Sequence, residues 1–308
     1  MSIKFSLIVP CYNEQEVLPI AFARFKKVMD ELQENYEMIF INDGSEDDTL
    51  GILRAYAEDN KNLKVISFSR NFGHQEAVTA GMRAAQGEAI IVIDADLQDP
   101  PELIGEMVKK WEQGYDIVFG QRERREGEPA FKKITAWGYY RFLRVMGVKE
   151  IPADAGDFRL MDKRVSDIIN GMPERNRFLR GMSAWAGFKQ APAKFVRGER
   201  AAGDTKYSLR RMLKLAGDGI TSFTNRPLKI SFFFGVGIGV LSFAYLLAAI
   251  VLASLKIMSV NHIVFSLIFL LLAGVFVCIG ILGMYIGRIL DEVRERPAYI
   301  INEKINLK

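Results

Sequence analysis

The segment AIIVIDADLQDPP, residues 89–101, decides the fold class of this 308-residue chain. It opens with a run of apolar residues, which predicts a strand buried within a sheet. Two carboxylates, Asp94 and Asp96, stand where that strand ends. With one residue between them they can point the same way and share a hard divalent cation, which would neutralise a diphosphate. An isolated Asp-x-Asp is also common in loops and helix caps, so its position after a buried strand carries the prediction.

The same alternation of short apolar strands and amphipathic helices surrounds this segment, from Lys4 to Gly120. It predicts an α/β fold whose mostly parallel sheet is covered on both faces. The predicted strands are Phe5–Val9, Met38–Asn42, Leu63–Phe68, Ala89–Asp94 and Ile117–Gly120. The predicted helices are Glu16–Glu34, Asp47–Glu58, Gln75–Ala85 and Pro101–Gln113. Ligands of such sheets bind at the carboxyl ends of the strands, so we expect the chemistry in the loops that follow them.

Two further polar loops follow strands of this predicted sheet. VPCYNE, residues 9–14, ends the first strand; Pro10 is expected to direct the chain outward there. Asn13 or Glu14 then either meets a ligand or caps the next helix. NDGS, residues 42–45, ends the second strand, and its Asp-Gly pair is first of all a turn former. Three polar loops at one edge of one sheet together predict a binding site.

Two long runs, Ile230–Leu255 and Ile263–Gly287, contain no Lys, Arg, Asp or Glu. Each exceeds the roughly 20 apolar residues that span a bilayer, so we predict two transmembrane helices, with two buried helices of a soluble protein as the alternative. Basic residues flank the pair on its outer sides, whereas the connecting loop offers only Lys256. Because Lys and Arg stay on the cytoplasmic side, the N-terminal domain and both termini are predicted to be cytoplasmic, at a bacterial inner or plasma membrane. The flanking residues are Arg210, Arg211, Lys214, Arg226, Lys229, Arg288, Arg294 and Arg296.

These patterns divide the chain into four predicted parts. They are a cytoplasmic catalytic domain at 1–206, a juxtamembrane interfacial helix at 207–228, a two-helix transmembrane hairpin at 229–290 and a cytoplasmic tail at 291–308. Phe131–Gly147 and Tyr207–Phe223 mix aromatic, aliphatic and basic residues, as helices in a membrane interface do. Ordinary surface helices with an apolar inner face show the same mixture, so both interpretations stay open.

Composition argues against several other classes of protein. Two cysteines are too few for a disulfide framework, and two isolated histidines argue against a zinc site. The net charge of +4 is mild, and no nucleic-acid partner is predicted. The small-residue spacing of Gly235 with Gly239, and of Gly283 with Gly287, predicts that the two long helices pair. Paired spans could also support a homo-oligomer.

Seven motifs give the chain a resemblance to a known family over essentially its whole length. They are VPCYNE, NDGS, SRNFGHQEAVTAG (69–81), DADLQDPPELI (94–104), GQR (120–122), DAGDFRL (154–160) and RAAGDTKYS (200–208). The chain resembles the family 2 glycosyltransferases with a GT-A fold, and among them the polyprenyl-phosphate glycosyltransferases, which include dolichyl-phosphate mannose synthases. Bacterial bactoprenol glucosyltransferases are most similar, since they combine DADLQDPPELI, GDFRL and a two-span tail. Thr205 stands where Ser is more usual.

The resemblance implies transfer of a hexose, glucose from UDP-glucose, to polyprenyl (undecaprenyl) phosphate, with Mg²⁺ or Mn²⁺. Asp94 and Asp96 would bind the metal, and Asp96 and Asp157 would be catalytic. The implied nucleotide-sugar-binding residues are Pro10, Tyr12, Asn13, Glu14, Asp43, Asp94, Asp96, Arg200 and Lys206. Attack by the lipid phosphate in a single displacement predicts inversion at the anomeric carbon.

The acceptor side rests on basic residues and on Asp157. The candidates for binding the acceptor phosphate are Arg122, Arg125 and Arg159. Arg122 directly follows a strand end and is best placed for bidentate contact, whereas Arg125 belongs to a charge run that a solvated surface also explains. A lipid monophosphate with a second pKa of about 6 is already largely ionised at neutral pH. Asp157 could therefore act as a base, position the acceptor, bind metal or complete the donor site, and Asp154 competes for each role.

Three alternative functions were weighed against this one. The same chemistry could use GDP-mannose, UDP-N-acetylglucosamine or an aminoarabinose donor. A processive polysaccharide synthase is disfavoured because the QxxRW acceptor motif is absent. A catalytically silent membrane scaffold that binds a nucleotide sugar is disfavoured by the four intact carboxylates of Asp43, Asp94, Asp96 and Asp157.

Overall fold

A computed structural model describes residues 2–122, 155–175, 177–196, 226–255 and 260–307. These residues fall into two units. The sheet unit comprises the described residues up to 196 together with 297–307, and the helix-pair unit comprises the described residues between 226 and 296.

The sheet unit is built on one eight-stranded sheet. Its strands are β1 Phe5–Cys11, β2 Tyr36–Asn42, β3 Leu63–Phe68, β4 Ala89–Val92, β5 Ile117–Arg122, β6 Ala155–Asp162, β7 Gln190–Phe195 and β8 Ile301–Ile305. The strand order is β7-β5-β6-β4-β1-β2-β3-β8. Strands β4, β1, β2 and β3 are parallel, and β5 is parallel to β7. Strand β6 runs antiparallel between β4 and β5, and β8 runs antiparallel to β3.

Helices cover the sheet between successive strands. They are α1 Leu18–Glu31, α2 Thr49–Asp59, α3 His74–Ala84, α4 Ile104–Glu112, α5 Lys163–Gly171 and α6 Leu179–Trp185, with a 3₁₀ turn at Pro101–Leu103 before α4. Helix α1 shows how the pattern works, because Leu18, Phe25 and Met29 recur at helical spacing and are all fully buried. The side chains of all seven β1 residues are buried, as expected for a strand covered on both faces. The predicted mostly parallel α/β sheet and its first five strands are therefore confirmed.

The structure corrects the predicted elements in two places. Strand β1 continues through Pro10, which pairs with Ile41 inside the sheet, so the expectation that Pro10 directs the chain outward is wrong. The tail was predicted as a separate segment, but Ile301–Ile305 alternates half-buried and exposed residues and joins the sheet as β8. The sheet unit therefore includes the end of the chain. Strands β6 and β7 also had no counterpart in the sequence prediction.

The helix-pair unit consists of α7 Arg226–Ser254 and α8 Val260–Val293. Among the described residues, Gly274–Val293 is long and apolar enough to cross a membrane, whereas the apolar segment Phe233–Tyr245 is shorter. The two helices pack at Gly274, where an added Cβ would lie 2.7 Å from the side chain of Ile238, and at the predicted Gly235, where it would lie 3.9 Å from Cys278 Sγ. At Gly283 and Gly287 an added Cβ would meet no described atom within 4 Å, so their role in pairing stays a prediction.

Candidate active site

The two loops that follow β1 and β2 are joined by hydrogen bonds. The amide of Asn13 donates to Ser45 Oγ at 3.0 Å, and the amide of Glu14 donates to Thr49 Oγ1 at 2.9 Å. The side chain of Asn13 accepts from the amide of Glu46 at 2.8 Å, and its φ of 54° is one that Asn tolerates better than most residues. The structure thus brings the predicted loops VPCYNE and NDGS together at the carboxyl edge of the sheet.

Asp43 is buried at the end of β2 and fixes the loop before α3. Its carboxylate accepts hydrogen bonds from the amide of Phe72 at 2.7 Å and the amide of Gly73 at 3.0 Å. Burial raises the pKa of Asp43, and the two amide donors act in the opposite direction. Next to it, a Cβ on Gly44 would lie 2.2 Å from the carbonyl carbon of Arg70, so only glycine allows this approach. Asp43 therefore shapes this edge through the 70–73 loop.

The Asp94–Asp96 loop follows β4 directly and combines strain with an unpartnered carboxylate oxygen. Leu97 has a φ of 56°, which is uncommon for a branched residue and characteristic of functional loops. The amide of Gln98 donates to Asp96 Oδ1 at 3.1 Å. Asp94 Oδ1 is buried without a hydrogen-bond partner in the described part of the chain.

Electrostatics at Asp94 favour a cation. Burial raises the pKa of Asp94 to about 6 against the opposing effect of His74, and the neighbouring Asp157, Asp96 and Asp99 raise it further. The described residues contain no group of three or more His, Cys, Asp or Glu that could hold a metal. Two carboxylates still suit a cation such as Mg²⁺, which keeps several waters and takes its other ligands from substrate phosphates. The residues at this loop therefore fit a divalent metal.

His74 lies at the start of α3, between two carboxylates. Its Nε2 is 3.6 Å from Asp94 Oδ1 and 3.5 Å from Asp157 Oδ2. Burial lowers the pKa of His74, but the charges of Asp94 and Asp157 outweigh that effect and raise it to about 9. The structure therefore places His74, the first residue of α3, at the candidate site.

Asp157, on β6, is held in a bidentate ion pair with Arg180 of α6. Arg180 Nε lies 2.7 Å from Asp157 Oδ1, and Arg180 Nη2 lies 2.9 Å from Asp157 Oδ2. Burial alone would raise the pKa of Asp157, but Arg180 and His74 hold it well below its usual range. Sequence reasoning missed Arg180, because it lies 23 residues beyond Asp157 and no spacing pattern connects the two.

Arg159 was expected to bind the acceptor phosphate, and the structure argues against this. The residue is only 4% exposed. Its guanidinium donates to the carbonyl of Gly156 at 3.0 Å, to the carbonyl of Leu179 at 3.4 Å and to the hydroxyl of Ser183 at 2.5 Å. Burial lowers its pKa to about 10, against the effect of Asp157. Arg159 therefore joins β6 to α6 within the protein.

Arg122, at the end of β5, lies beside the Asp94–Asp96 loop. Its Nη2 is 3.5 Å from Oδ1 of Asp99, which is buried. A Cβ on Gly156 would come within 3.2 Å of the same Nη2, so the glycine of DAGDFRL lies directly beside the Arg122 guanidinium. Arg122 is partly exposed, and its role in binding the acceptor phosphate stays a prediction. The other predicted basic residues Arg125, Arg200 and Lys206, and the competing carboxylate Asp154, lie outside the described residues.

The mostly parallel sheet and its Asp-x-Asp loop at the carboxyl edge agree with the expected GT-A fold. Residues 6–169 match the family described as glycosyl transferase family 2, and the chain belongs to this family.

Curated relatives match over almost the whole chain. One is the uncharacterized glycosyltransferase YkcC of Bacillus subtilis, which is 47% identical over 99% of this chain and 95% of its own length. Another is the prophage bactoprenol glucosyl transferase homolog of Escherichia coli, which is 39% identical over 97% of this chain and 98% of its own length. The bactoprenol glucosyl transferase of Shigella phage SfV is 38% identical over 98% of this chain and 99% of its own length.

Among solved structures, glucosyl-3-phosphoglycerate synthase from Mycobacterium tuberculosis, in complex with Mn²⁺, UDP-glucose and phosphoglyceric acid, aligns with a TM-score of 0.47. That alignment has 18% identity and covers 71% of this chain and 78% of that one.

Proposed function

We propose that this chain transfers glucose from UDP-glucose to a polyprenyl phosphate, undecaprenyl phosphate in bacteria, with inversion of the anomeric centre. Relatives at 37–39% identity that carry the name bactoprenol glucosyl transferase support this choice of sugar and carrier. Within the chain, the observation that carries the proposal is the buried Oδ1 of Asp94, which accepts no hydrogen bond in the described residues and lies next to Asp96, at the same edge as the two joined loops.

The donor would lie across the carboxyl edge of β1, β2 and β4. The loop from Pro10 through Tyr12 to Glu14 would bind the nucleotide, and Asp43 would support it through the 70–73 loop. A divalent cation, Mg²⁺ or Mn²⁺, bound by Asp94 and Asp96 would neutralise charge on the departing diphosphate.

The acceptor requires orientation more than deprotonation. An oxygen of the lipid phosphate attacks the anomeric carbon while the bond from that carbon to the nucleoside diphosphate breaks, and the diphosphate leaves with the electron pair. Both oxygens of Asp157 already accept hydrogen bonds from Arg180, so we assign Asp157 a positioning role near the acceptor. Arg122, which points its guanidinium towards the Asp94–Asp96 loop, would bind the acceptor phosphate.

Membrane anchoring by α7 and α8 as two spans is part of the proposal. Large apolar side chains on both helices are exposed, including Phe233 and Phe276, which are each 69% exposed. Such surfaces suit lipid. Single cysteines at positions 256–259, between α7 and α8, should react with an impermeant thiol reagent added to intact cells, whereas a cysteine at Asn302 should react only after lysis. Equal labelling of both positions would exclude this topology.

The direct test of the reaction is a transfer assay with purified full-length protein in detergent. Undecaprenyl phosphate, Mg²⁺ or Mn²⁺ and radiolabelled UDP-glucose should give lipid-extractable label, and the NMR spectrum of the product should show inverted configuration. A panel of GDP-mannose, UDP-N-acetylglucosamine and an aminoarabinose donor checks the sugar. Transfer from one of these instead would correct the donor, and no transfer from any of them would support the silent scaffold.

A further inference from the structure

The C-terminal strap, which we define as residues 297–306, fastens to the β3 edge of the sheet. Its strand β8 pairs with β3, and Glu303 forms an ion pair with Arg54 of α2. At the far end, the side chain of Asn306 donates to the carbonyl of Ala57 at 2.8 Å and to the carbonyl of Leu63 at 2.9 Å. These contacts anchor the strap away from the site.

The near end of the strap touches the loop that Asp43 binds. The amide of Ser69 donates to the carbonyl of Ile300 at 3.0 Å. The ring of Tyr299 stacks on Phe68, with centroids 4.9 Å apart and an angle of 15° between the planes. Phe68 in turn meets Phe72 edge to face at 5.7 Å.

This row of three aromatic rings ends at Phe72, which borders the candidate nucleotide-sugar site. The backbone amide of Phe72 donates a hydrogen bond to the carboxylate of Asp43 at 2.7 Å. The guanidinium of Arg83, on α3, lies 5.9 Å from the Tyr299 ring centroid, so a second element that borders the site also packs on the strap. The β3–β8 register also shifts between Ser67 and Phe68, where the strand passes into the loop.

We propose that the C-terminal strap positions the nucleotide-binding edge, with Tyr299 as a positioning residue that acts through Phe68, Phe72 and Asp43. The inference rests on the proposed function for the identity of the donor. The strap would affect binding of the donor and not of the acceptor. Arg122, the proposed acceptor-phosphate residue, ends β5, and β8 and β5 are six strand positions apart. That separation is about 30 Å at the usual spacing of strands in a sheet.

The experiment compares three variants of the full-length protein in detergent. Tyr299→Ala removes the stacked ring, and Tyr299→Phe keeps it. Glu303→Gln is the matched control, because it weakens the same strap at its exposed ion pair, away from Phe68. The steady-state constants for UDP-glucose and for undecaprenyl phosphate are measured together with hydrogen exchange of the 69–73 amides.

Tyr299→Ala should raise the KM for UDP-glucose about fivefold, as expected for loss of one aromatic stack. The kcat and the KM for the lipid should stay within twofold of wild type, and the amides of Phe72 and Gly73 should exchange faster. Tyr299→Phe and Glu303→Gln should match wild type in all these values. A donor KM within twofold of wild type, or equal losses in Tyr299→Ala and Glu303→Gln, would overturn the proposal.

The two proposals can fail separately. If wild-type protein transfers no glucose, the proposed function fails, and hydrogen exchange alone decides the role of the strap. Unchanged exchange of the 69–73 amides in Tyr299→Ala would then refute it, whereas faster exchange there with an unchanged melting temperature supports it.

Discussion

The carboxyl end of β4 and the middle of β6 both direct a carboxylate towards His74, but their charges are balanced differently. On β6, both oxygens of Asp157 accept from Arg180, and the buried Arg159 lies 4.0 Å away. At the end of β4, a buried oxygen of Asp94 accepts no hydrogen bond in the described residues; His74 Nε2 lies 3.6 Å from it, and other carboxylates lie nearby.

This difference indicates separate roles for the two regions. A carboxylate whose charge is matched within the protein is held in place and costs little to keep buried. A carboxylate among like charges gains most from a cation that arrives with a ligand. We therefore expect the β6 region to belong to the scaffold of the site, and the β4 loop to be the part that the proposed metal and donor would complete.

The largest expected effect is on the β4 loop itself. Asp96→Asn should reduce kcat/KM for transfer by about a hundredfold or more, since one of the two proposed metal ligands is lost. Asp94→Asn should do the same without lowering the melting temperature, because it removes a charge that burial and neighbouring carboxylates disfavour. Activity within threefold of wild type in both variants would mean that the β4 loop does not bind the metal and donor.

Next in size is the loss of the internal partner on β6. Arg180→Ala should destabilise the protein by about 3 kcal/mol, because it leaves the charge of Asp157 buried without its bidentate partner. Adding Asp157→Asn should recover most of this loss, and the double-mutant cycle by thermal unfolding measures the coupling. If the double variant is no more stable than Arg180→Ala, the pair does not balance charge as described.

The same pair predicts how stability depends on pH. Since the pKa of Asp157 is held below its usual range, the pair contributes stability above the usual Asp pKa and loses it as pH falls through the folded-state pKa. The difference in melting temperature between wild type and Arg180→Ala should therefore be constant near neutrality and narrow below about pH 4. A difference in melting temperature that grows as the pH falls would contradict a lowered pKa for Asp157.

A smaller effect is expected from the metal on stability. In the presence of UDP, Mg²⁺ or Mn²⁺ well above its dissociation constant should stabilise wild type by roughly 2 kcal/mol through mass action. Asp94→Asn and Asp96→Asn should lose most of this gain, whereas Arg24→Ala, which removes only a surface ion pair with Glu102, should keep it. The melting temperature with metal and with chelator gives the comparison, and equal shifts in all variants would place the metal elsewhere.

The smallest effect concerns the acceptor side of the β4 loop. Arg122→Ala should raise the KM for undecaprenyl phosphate about tenfold and leave the KM for UDP-glucose nearly unchanged, as expected when one phosphate contact is lost. Arg24→Ala serves again as the control for removal of an arginine. An unchanged KM for the lipid would mean that Arg122 pairs with Asp99 but does not bind the acceptor phosphate.

The parts that could be predicted from sequence are those set by short patterns. The apolar run before Asp94 identified a central strand, and the carboxyl edge of a parallel sheet then located the loops at Asn13, Asp43 and Asp96. Each inference needed only neighbours in the chain. The resemblance added the family, which the comparisons confirm.

The parts that failed depend on contacts distant in sequence. The motif FRL, residues 158–160, does not indicate that Arg159 is buried and donates hydrogen bonds to α6. Both features follow from how β6 and α6 pack. Arg180 was missed for the same reason. The alternation in INEKI, residues 301–305, was a weak signal for β8, since a short edge strand with three polar residues resembles a solvated tail.

The position of β8 also has a consequence for biosynthesis. Because α7 and α8 separate β8 from the other strands along the chain, the ribosome makes both long helices before it makes the last strand. Until then β3 is an edge strand with unpaired amides and carbonyls, which invites pairing with other chains. Truncation before α7, a common way to obtain a soluble domain, would leave that edge open permanently, and we expect such a fragment to aggregate.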